Sequence, residues 1–447
     1  MEKIKTIKGI RDILYPESAL WSKIISRVDN IFESYGYRKI FLPVIEYTEL
    51  FTRSIGEDTD IVAKEMYSFQ DRKGRNLSLR PEGTAGVVRA MIQNQLLQGN
   101  IREKVYYFGP MFRYERPQTG RYRQFYQLGC EVFGSRDETQ DAEIAELAVK
   151  IYRECVGEGG KLLINSVGCE REECRPRYRQ ELRSHFHEHK DDLCDDCKRR
   201  LETNVLRILD CKTGLCRDIF QKLTHAKSES RENLCGDCQE YLSHYKSRLK
   251  ERGYEEDKDY FVDIKLVRGL DYYTGPVFEL QAKDGFAVIA GGRYDNLVKQ
   301  FGGPDVPACG WALGLDRLAA LCSHEPESKK IPEVYLVYLE NVTDLKEVGE
   351  IFNPSVGMDN AREEHILLCR ELAAKLREKG ISVEENYEGG LLGKKLSVAN
   401  RKKIQWVLIY GVDQAENRTV SIKNMKTSEQ DDVSIEDIDE IVKRIKC

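Results

Sequence analysis

Four arginines, Arg113, Arg116, Arg121 and Arg123, crowd the stretch between Met111 and Glu131, where Glu115 is the only acidic residue before Glu131. A guanidinium is always charged and forks onto phosphate oxygens, so this density points to a phosphorylated ligand. Apolar and polar residues alternate before Glu115 and after Arg123, and Pro117 and Gly120 interrupt the pattern between them. That reads as two strands joined by a loop. An arginine at a strand end, as Arg113 would be, can hold one phosphate in one place.

Four further clusters carry polar groups beside glycine. In Leu79–Thr84, Arg-Pro-Glu-Gly closes a strand and opens a helix. Its Glu82 could receive an α-ammonium group, with Gly83 and Thr84 beside it, or could simply cap the helix. In Leu266–Gly275 an apolar strand delivers Arg268, Asp271, Tyr272 and Tyr273 to a glycine-flanked turn. An arginine there could stabilise charge developing on a phosphate. Ala290–Leu297 holds Gly-Gly-Arg-Tyr-Asp, and Gly310–Arg317 sets Gly314 before a helix bearing Arg317, whose guanidinium could stack on a purine. None of the seven histidines falls in these clusters, and there is no Gly-x4-Gly-Lys phosphate loop. Positioning and charge stabilisation at phosphorus are therefore expected, without a histidine base.

The chain has 447 residues, a net charge of −5 and 14 cysteines. Its length allows two or three domains. It contains no apolar run long enough to span a bilayer and no apolar core of a signal peptide near Met1, so a cytoplasmic protein without membrane contact is expected, its cysteines reduced or metal-bound. The slight negative charge leaves local basic patches to decide any nucleic-acid contact.

Helical spacing follows Pro16, and a strand containing Pro43 comes next, at an edge or interface because proline cannot donate to a ladder. A hairpin is expected to turn at Asp71–Gly74, helices over Thr84–Leu97 and Asp137–Cys155, and another over Gly310–Leu321. From Cys169 to Asp257 the chain is polar, helical and rich in Cys and His. From Val334 strands and helices alternate as far as Tyr410, the pattern of a small, mostly parallel α/β domain. No internal repeat is read, and Asn341–Asn360 looks like a surface insertion. The expected fold is α+β: an antiparallel-sheet catalytic domain in two parts, 1–168 and 258–325, a helical insertion over 169–257, and an α/β domain over 331–447.

These strings resemble the class II aminoacyl-tRNA synthetases, and among them the histidyl-tRNA synthetase family. The run from Leu266 to Tyr273 and the run from Ala290 to Asp295 look like the two histidine signatures. Phe112–Phe125 looks like class motif 2, Tyr35–Val44 like motif 1 and Gly310–Arg317 like motif 3. The resemblance implies activation of L-histidine by ATP with Mg²⁺, transfer to tRNA(His), and a homodimer. It implies that Arg113 grips the α-phosphate, that Glu115 lies near the adenine amino group, and that Arg317 covers ATP. Arg268 would assist attack at phosphorus. Glu82, Gly83 and Thr84 match contacts to the histidine ammonium group. Gln127, Glu131, Tyr272 and Tyr273 match the histidine pocket. Tyr114, Trp311 and Asp316 stand where His, Phe and Glu are commoner in the family, and the shorter Asp316 is a poorer metal ligand. The 331–447 domain is expected to bind the anticodon with Lys394, Lys395, Arg401, Lys402 and Lys403, and Arg116, Arg121 and Arg123 to face the acceptor end. A histidine-sensing regulatory paralogue of ATP phosphoribosyltransferase, which makes no adenylate, is the alternative, and an RNA-binding zinc module without catalysis is a third.

Within the insertion, Cys194-x2-Cys197 and Cys235-x2-Cys238 form paired knuckles, the usual outline of a structural Zn²⁺ site. One zinc held by these four is expected, with Cys169, Cys174, Cys211 and Cys216 in reserve.

Overall fold

Trp21, Ile24, Val28, Ile31 and Phe32 share the buried face of the first helix, α1 (Glu17–Ser34), as their spacing requires. Beyond it the single strand expected around Pro43 divides. Residues to either side pair in different sheets, as β1 (Arg38–Ile40) and β2 (Ile45–Tyr47). A proline offers no N–H to a ladder, so the chain breaks there. After α2 (Thr48–Ile55) the expected hairpin forms from β3 (Ser68–Gln70) and β4 (Asn76–Leu79), and α3 (Thr84–Gln93) ends a turn earlier than predicted. The computed structural model describes residues 3–56, 59–99, 102–115, 121–226, 234–270, 272–322, 331–339, 358–386 and 390–446.

The arginine cluster lies between the two longest strands, β5 (Glu103–Phe112) and β6 (Gln124–Phe133), which pair antiparallel along their whole length. Then follow α4 (Glu138–Val156), capped by Asp137, whose side chain accepts the Thr139 N–H at 2.7 Å, and β7 (Lys161–Ser166). The cysteine-rich stretch supplies α5 (Arg175–Glu188), α6 (Asp195–Thr203), α7 (Gly214–Ala226) and α8 (Gly236–Glu251). The sheet resumes with β8 (Tyr260–Val262), β9 (Pro276–Gln281) and β10 (Ala287–Arg293). After α9 (Leu297–Gln300) come β11 (Ala308–Gly314) and α10 (Leu315–Leu321). The helix expected from Gly310 is thus a strand up to Gly314. The apolar, glycine-rich run Gly-Trp-Ala-Leu-Gly suits either state by pattern, and antiparallel neighbours on both sides, β6 and β10, decide it.

These strands make one eight-stranded sheet, β1-β5-β6-β11-β10-β9-β7-β8. Its pairs are antiparallel except for β1 with β5 and β7 with β8, the two edges. Helices α1 and α4 bury their apolar faces with the sheet residues Tyr106, Cys130, Trp311 and Leu313. Leu242, Tyr245 and Leu249 of α8 belong to that same core, so the last helix of the cysteine-rich stretch packs as part of the body built on the eight-stranded sheet.

Residues 326–447 form a second compact unit. It contains β12 (Val334–Tyr338), α11 (Met358–Glu378), β13 (Val383–Asn386), α12 (Leu392–Lys402) and β14 (Trp406–Tyr410), as the alternation predicts. The strands β13, β12 and β14 run parallel. Beyond Tyr410, where the sequence reading stops, α13 (Val412–Asn417) leads into β15 (Thr419–Asn424) and β16 (Gln430–Ser434), which extend the sheet antiparallel, and α14 (Ile438–Lys446) closes it. The suggested insertion at Asn341–Asn360 falls outside the described residues, apart from the start of α11.

Candidate active site

Residues from the five clusters meet in one cavity of about 330 Å³. Glu82, Thr84, Arg113, Glu115, Arg121, Gln127, Arg268, Tyr272, Tyr273 and Arg317 all line it. They come from the α3 N-terminus, the β5–β6 hairpin, the loop before β9 and the start of α10.

At the open end, Arg113 stands just past β5. Its Nε donates to the Pro81 carbonyl at 2.9 Å, and its guanidinium lies 5.3 Å from the Phe125 ring centroid. Glu115 pairs with Arg121 at 3.2 Å. Arg123 stacks 3.8 Å over the Tyr114 ring and donates to the Glu115 carbonyl, so it braces the hairpin. Arg116 lies outside the described residues. Arg268 pairs with Glu279 of β9 at 2.5 Å. Arg317 donates to the Ala287 carbonyl and sits 5.7 Å from the Phe286 ring, its pKa lowered by burial. Asp316 is committed elsewhere. It accepts the Tyr126 N–H at 2.9 Å and pairs with Arg11 at 3.2 Å. Arg11 also pairs with Glu17 and lies 4.8 Å from the Tyr122 ring, while the Gly9 carbonyl accepts the Arg123 N–H at 2.7 Å. This N-terminal clamp on the hairpin and on Asp316 was not legible in the sequence, because no local pattern signals a contact such as that of Arg11 with Asp316, 305 residues away.

At the closed end, Glu82 caps α3. Its carboxylate accepts the N–H groups of Thr84 at 2.6 Å and Ala85 at 2.8 Å, so the capping role is real while the residue also lines the cavity. Gly83, buried, is the last residue before the helix. Thr84 Oγ1 donates to Glu131 at 2.7 Å, and Tyr294 OH donates to its other oxygen. Glu131 is fully buried, and that burial pushes its pKa up to about 8 against the two hydrogen bonds. Burial raises Glu82 as well. Gly310 opens the cavity wall toward Glu131: a Cβ there would sit 1.8 Å from the carboxylate oxygen. The Tyr272 and Tyr273 rings lie 4.8 Å apart, and Tyr272 meets Tyr294 at 5.5 Å. Gln127 Oε1 is buried with no hydrogen-bond partner among the described residues, an acceptor left for a ligand. Tyr294, visible in the Gly-Gly-Arg-Tyr-Asp string, carries no role on sequence grounds alone. Arg293 beside it is structural: buried, it pairs with Asp141 at 2.7 Å. So is Lys395 in the second unit, which is buried and donates to the Tyr338 carbonyl at 2.6 Å instead of facing a nucleic acid.

The expected zinc quartet of Cys194, Cys197, Cys235 and Cys238 does not assemble. The two knuckles open different helices, α6 and α8, and α8 is fixed in the catalytic core. Instead Cys235 and Cys238 meet Cys169 and Cys174, while Cys194 and Cys197 meet Cys211 and Cys216. Either group could hold a metal ion.

An antiparallel sheet that presents a motif 2 hairpin and a motif 3 strand–helix to one cavity is the architecture of the class II aminoacyl-tRNA synthetases, and in this chain a separate α/β unit follows it. Family comparison sharpens this. The histidyl-tRNA synthetase model matches residues 9–318, and an anticodon-binding-domain model matches 352–445. The chain is 41% identical to the histidine–tRNA ligase of Aquifex aeolicus, over 97% of this chain and 100% of that one, and 39% identical to that of Bacillus subtilis, over 98% and 97%. The crystal structure of apo Staphylococcus aureus histidyl-tRNA synthetase superimposes with a TM-score of 0.71 at 29% identity, covering all of both chains. A Bacillus halodurans structure described as an ATP phosphoribosyltransferase regulatory subunit/histidyl-tRNA synthetase shares the fold, with a TM-score of 0.63 at 21% identity. The chain belongs to the histidyl-tRNA synthetase family.

Proposed function

We propose that the cavity binds histidine at its closed end and ATP at its open end, and that the chain is a histidine–tRNA ligase. The histidine carboxylate attacks the α-phosphorus of ATP, and pyrophosphate leaves. A ribose hydroxyl of the terminal adenosine of tRNA(His) then attacks the acyl carbon, and AMP leaves. The observation that carries this reading is the convergence of both histidine signatures and motif 2 on one cavity. Glu131, Tyr272 and Tyr273 would meet the imidazole, and Glu82, Thr84 and Gln127 the ammonium group. Arg113 and Arg268 would flank the α-phosphate, where fixed positive charge lowers the barrier. Glu115 and Arg317 would hold the adenine side. Magnesium would accompany ATP and neutralise phosphate charge; the carboxylates Asp316 and Glu115 at this end are paired with Arg11 and Arg121. The regulatory reading is not favoured, because the full-length relatives quoted above are ligases and all three arginines reach the cavity.

A homodimer is supported by the edge strand β1 and by Phe41, 81% exposed beside it, with Ile45, Tyr47 and Phe69 also open. The anticodon would bind the second unit, where α12 ends in Arg401 and Lys402, and Arg116, Arg121 and Arg123 would serve the acceptor end. Among the described residues no helix is long and apolar enough to cross a membrane, which fits a cytoplasmic enzyme. Histidine-dependent pyrophosphate–ATP exchange tests the reading. Its absence in the purified protein would return the regulatory alternative.

A further inference from the structure

The cysteines of the insertion form a repeat. Cys-x4-Cys followed by Cys-x2-Cys occurs as Cys169/Cys174 with Cys194/Cys197, and again as Cys211/Cys216 with Cys235/Cys238, each cysteine of the second copy 41 or 42 residues after its counterpart. The backbone repeats too. Cys194 caps α6 with φ −66° and ψ 159°, and Cys235 caps α8 with φ −67° and ψ 162°. Neither copy closes on itself. The outer pairs, Cys169/Cys174 and Cys235/Cys238, make one quartet, and the inner pairs make the other, nested within it.

In each quartet the four sulfurs lie within 4.8 Å of one another. Cys169 and Cys235 are 3.6 Å apart, and Cys194 and Cys211 are 3.9 Å apart. Four thiolates at ~2.3 Å from one central ion stand ~3.8 Å apart along each tetrahedral edge. A four-iron cluster places each thiolate on a separate iron and spreads them further. Protonated thiols, weak donors and weak acceptors, gain little from such crowding. Main-chain donors converge on the sulfurs as well. The N–H groups of Cys169 and Cys235 point at Cys174 Sγ, that of Cys194 at Cys216 Sγ and that of Thr213 at Cys211 Sγ, each at 3.4 Å. Gly168 leaves room for this: a Cβ on it would lie 2.8 Å from Cys174 Sγ.

We propose that each quartet binds one zinc ion and that the two ions brace the segment carrying Arg268, Tyr272 and Tyr273. The bracing half rests on the functional reading of that segment. Arg175 follows Cys174 directly and is buried. Its Nη2 donates to the carbonyls of Gly168 at 2.6 Å and Tyr273 at 2.7 Å. Arg207 sits in a short turn closed onto the inner quartet, where the Cys211 N–H bonds the Ile208 carbonyl at 3.0 Å, and it donates to the Gly269 carbonyl at 2.7 Å. One guanidinium from the flank of each quartet thus holds one end of the signature turn. An ion at each quartet fixes the backbone from which that guanidinium projects.

Elemental analysis of the full-length protein, purified without chelators, should give two zinc per chain. None, one, or iron with acid-labile sulfide overturns the assignment. Cobalt substitution of the same protein should give tetrahedral, thiolate-rich absorption equivalent to two ions per chain, and octahedral spectra would overturn it too. Arg207→Ala leaves every cysteine in place. It should retain two zinc while raising the KM for histidine about tenfold and leaving that for ATP unchanged, as loss of one charged hydrogen bond predicts. Two zinc with an unaltered histidine KM overturns the bracing. Failure of the enzyme reading would show separately, as two zinc in a protein without histidine-dependent exchange.

Discussion

The two ends of the cavity are both polar, but their polar groups are held by opposite means. At the closed end, Glu82 and Glu131 are fully buried carboxyls, fed by main-chain N–H groups or hydroxyls, with no cation in hydrogen-bond contact among the described residues. At the open end, Arg113, Arg268 and Arg317 are half-buried, each tethered by a backbone carbonyl or a carboxylate. A buried carboxyl can be neutral or charged, and a ligand can choose the state by what it donates. An arginine has one state at any working pH, so its contribution is where the charge sits. The comparison assigns selection to the first end and transition-state charge to the second.

The largest effect should come at the closed end. A site built to hydrogen-bond a substrate rejects an analogue lacking the group by ~10⁴–10⁵. Glu131→Gln keeps the shape and changes the donor–acceptor pattern, so the preference in kcat/KM for histidine over an isosteric ring without ring N–H should fall steeply while the KM for ATP holds. Equal loss toward both substrates would mean that Glu131 only supports the fold. Next in size, Arg268→Ala should slow pyrophosphate exchange by ~10²–10³ with the histidine KM within a few-fold of wild type. The change strands Glu279, so Arg268→Ala with Glu279→Gln separates loss of the positive charge from a newly unpaired carboxylate. Rates near normal in both variants would remove Arg268 from the chemistry.

The open end was the more legible of the two. Arginines on a period-two pattern, interrupted by proline and glycine, say both what they bind and what holds them. The closed end depends on who meets Glu131, and that partner, Tyr294, is the residue just past β10, carried there by the register of β10 with β11. Glu82 read equally well as cap or ligand, and in the structure it caps while lining the cavity. The run Gly310–Gly314 carries no period that separates strand from helix, which is why the start of α10 was misplaced. The knuckles were plain, but which pairs join depends on α8 being pinned in the catalytic core. The cysteine repeat is faint in the sequence because little recurs between the copies besides the cysteines, a Leu before and an Asp within each knuckle, and the Arg after Cys174 and Cys216.

A smaller effect should follow from Tyr294→Phe. It removes one of the two hydroxyl donors to Glu131 and nothing that reaches the open end. A hydrogen bond to a charged group is worth ~1.5–3 kcal/mol, so a rise of roughly ten- to a hundredfold in the histidine KM is expected, with the exchange rate at saturation nearly unchanged. A fall in kcat alone would contradict the division between the ends.

The effect smallest on catalysis is a pH signature in stability, read without substrate. In the unfolded chain Glu131 titrates near 4.5, and in the folded protein burial carries it to about 8. Between those values the native state holds a proton that the unfolded state has released. Stability from this group therefore falls as pH rises from 4.5 to 8 and levels off above. Glutamine never ionises, so the melting temperature of Glu131→Gln should gain on wild type across that interval, by roughly five degrees for a chain of this size. At pH 5 the two proteins should nearly coincide. A difference that does not change with pH would mean that Glu131 is already ionised in the empty site. Saturating histidine should reverse the order at pH 8, because an imidazole N–H gives the carboxylate the partner that the empty pocket lacks.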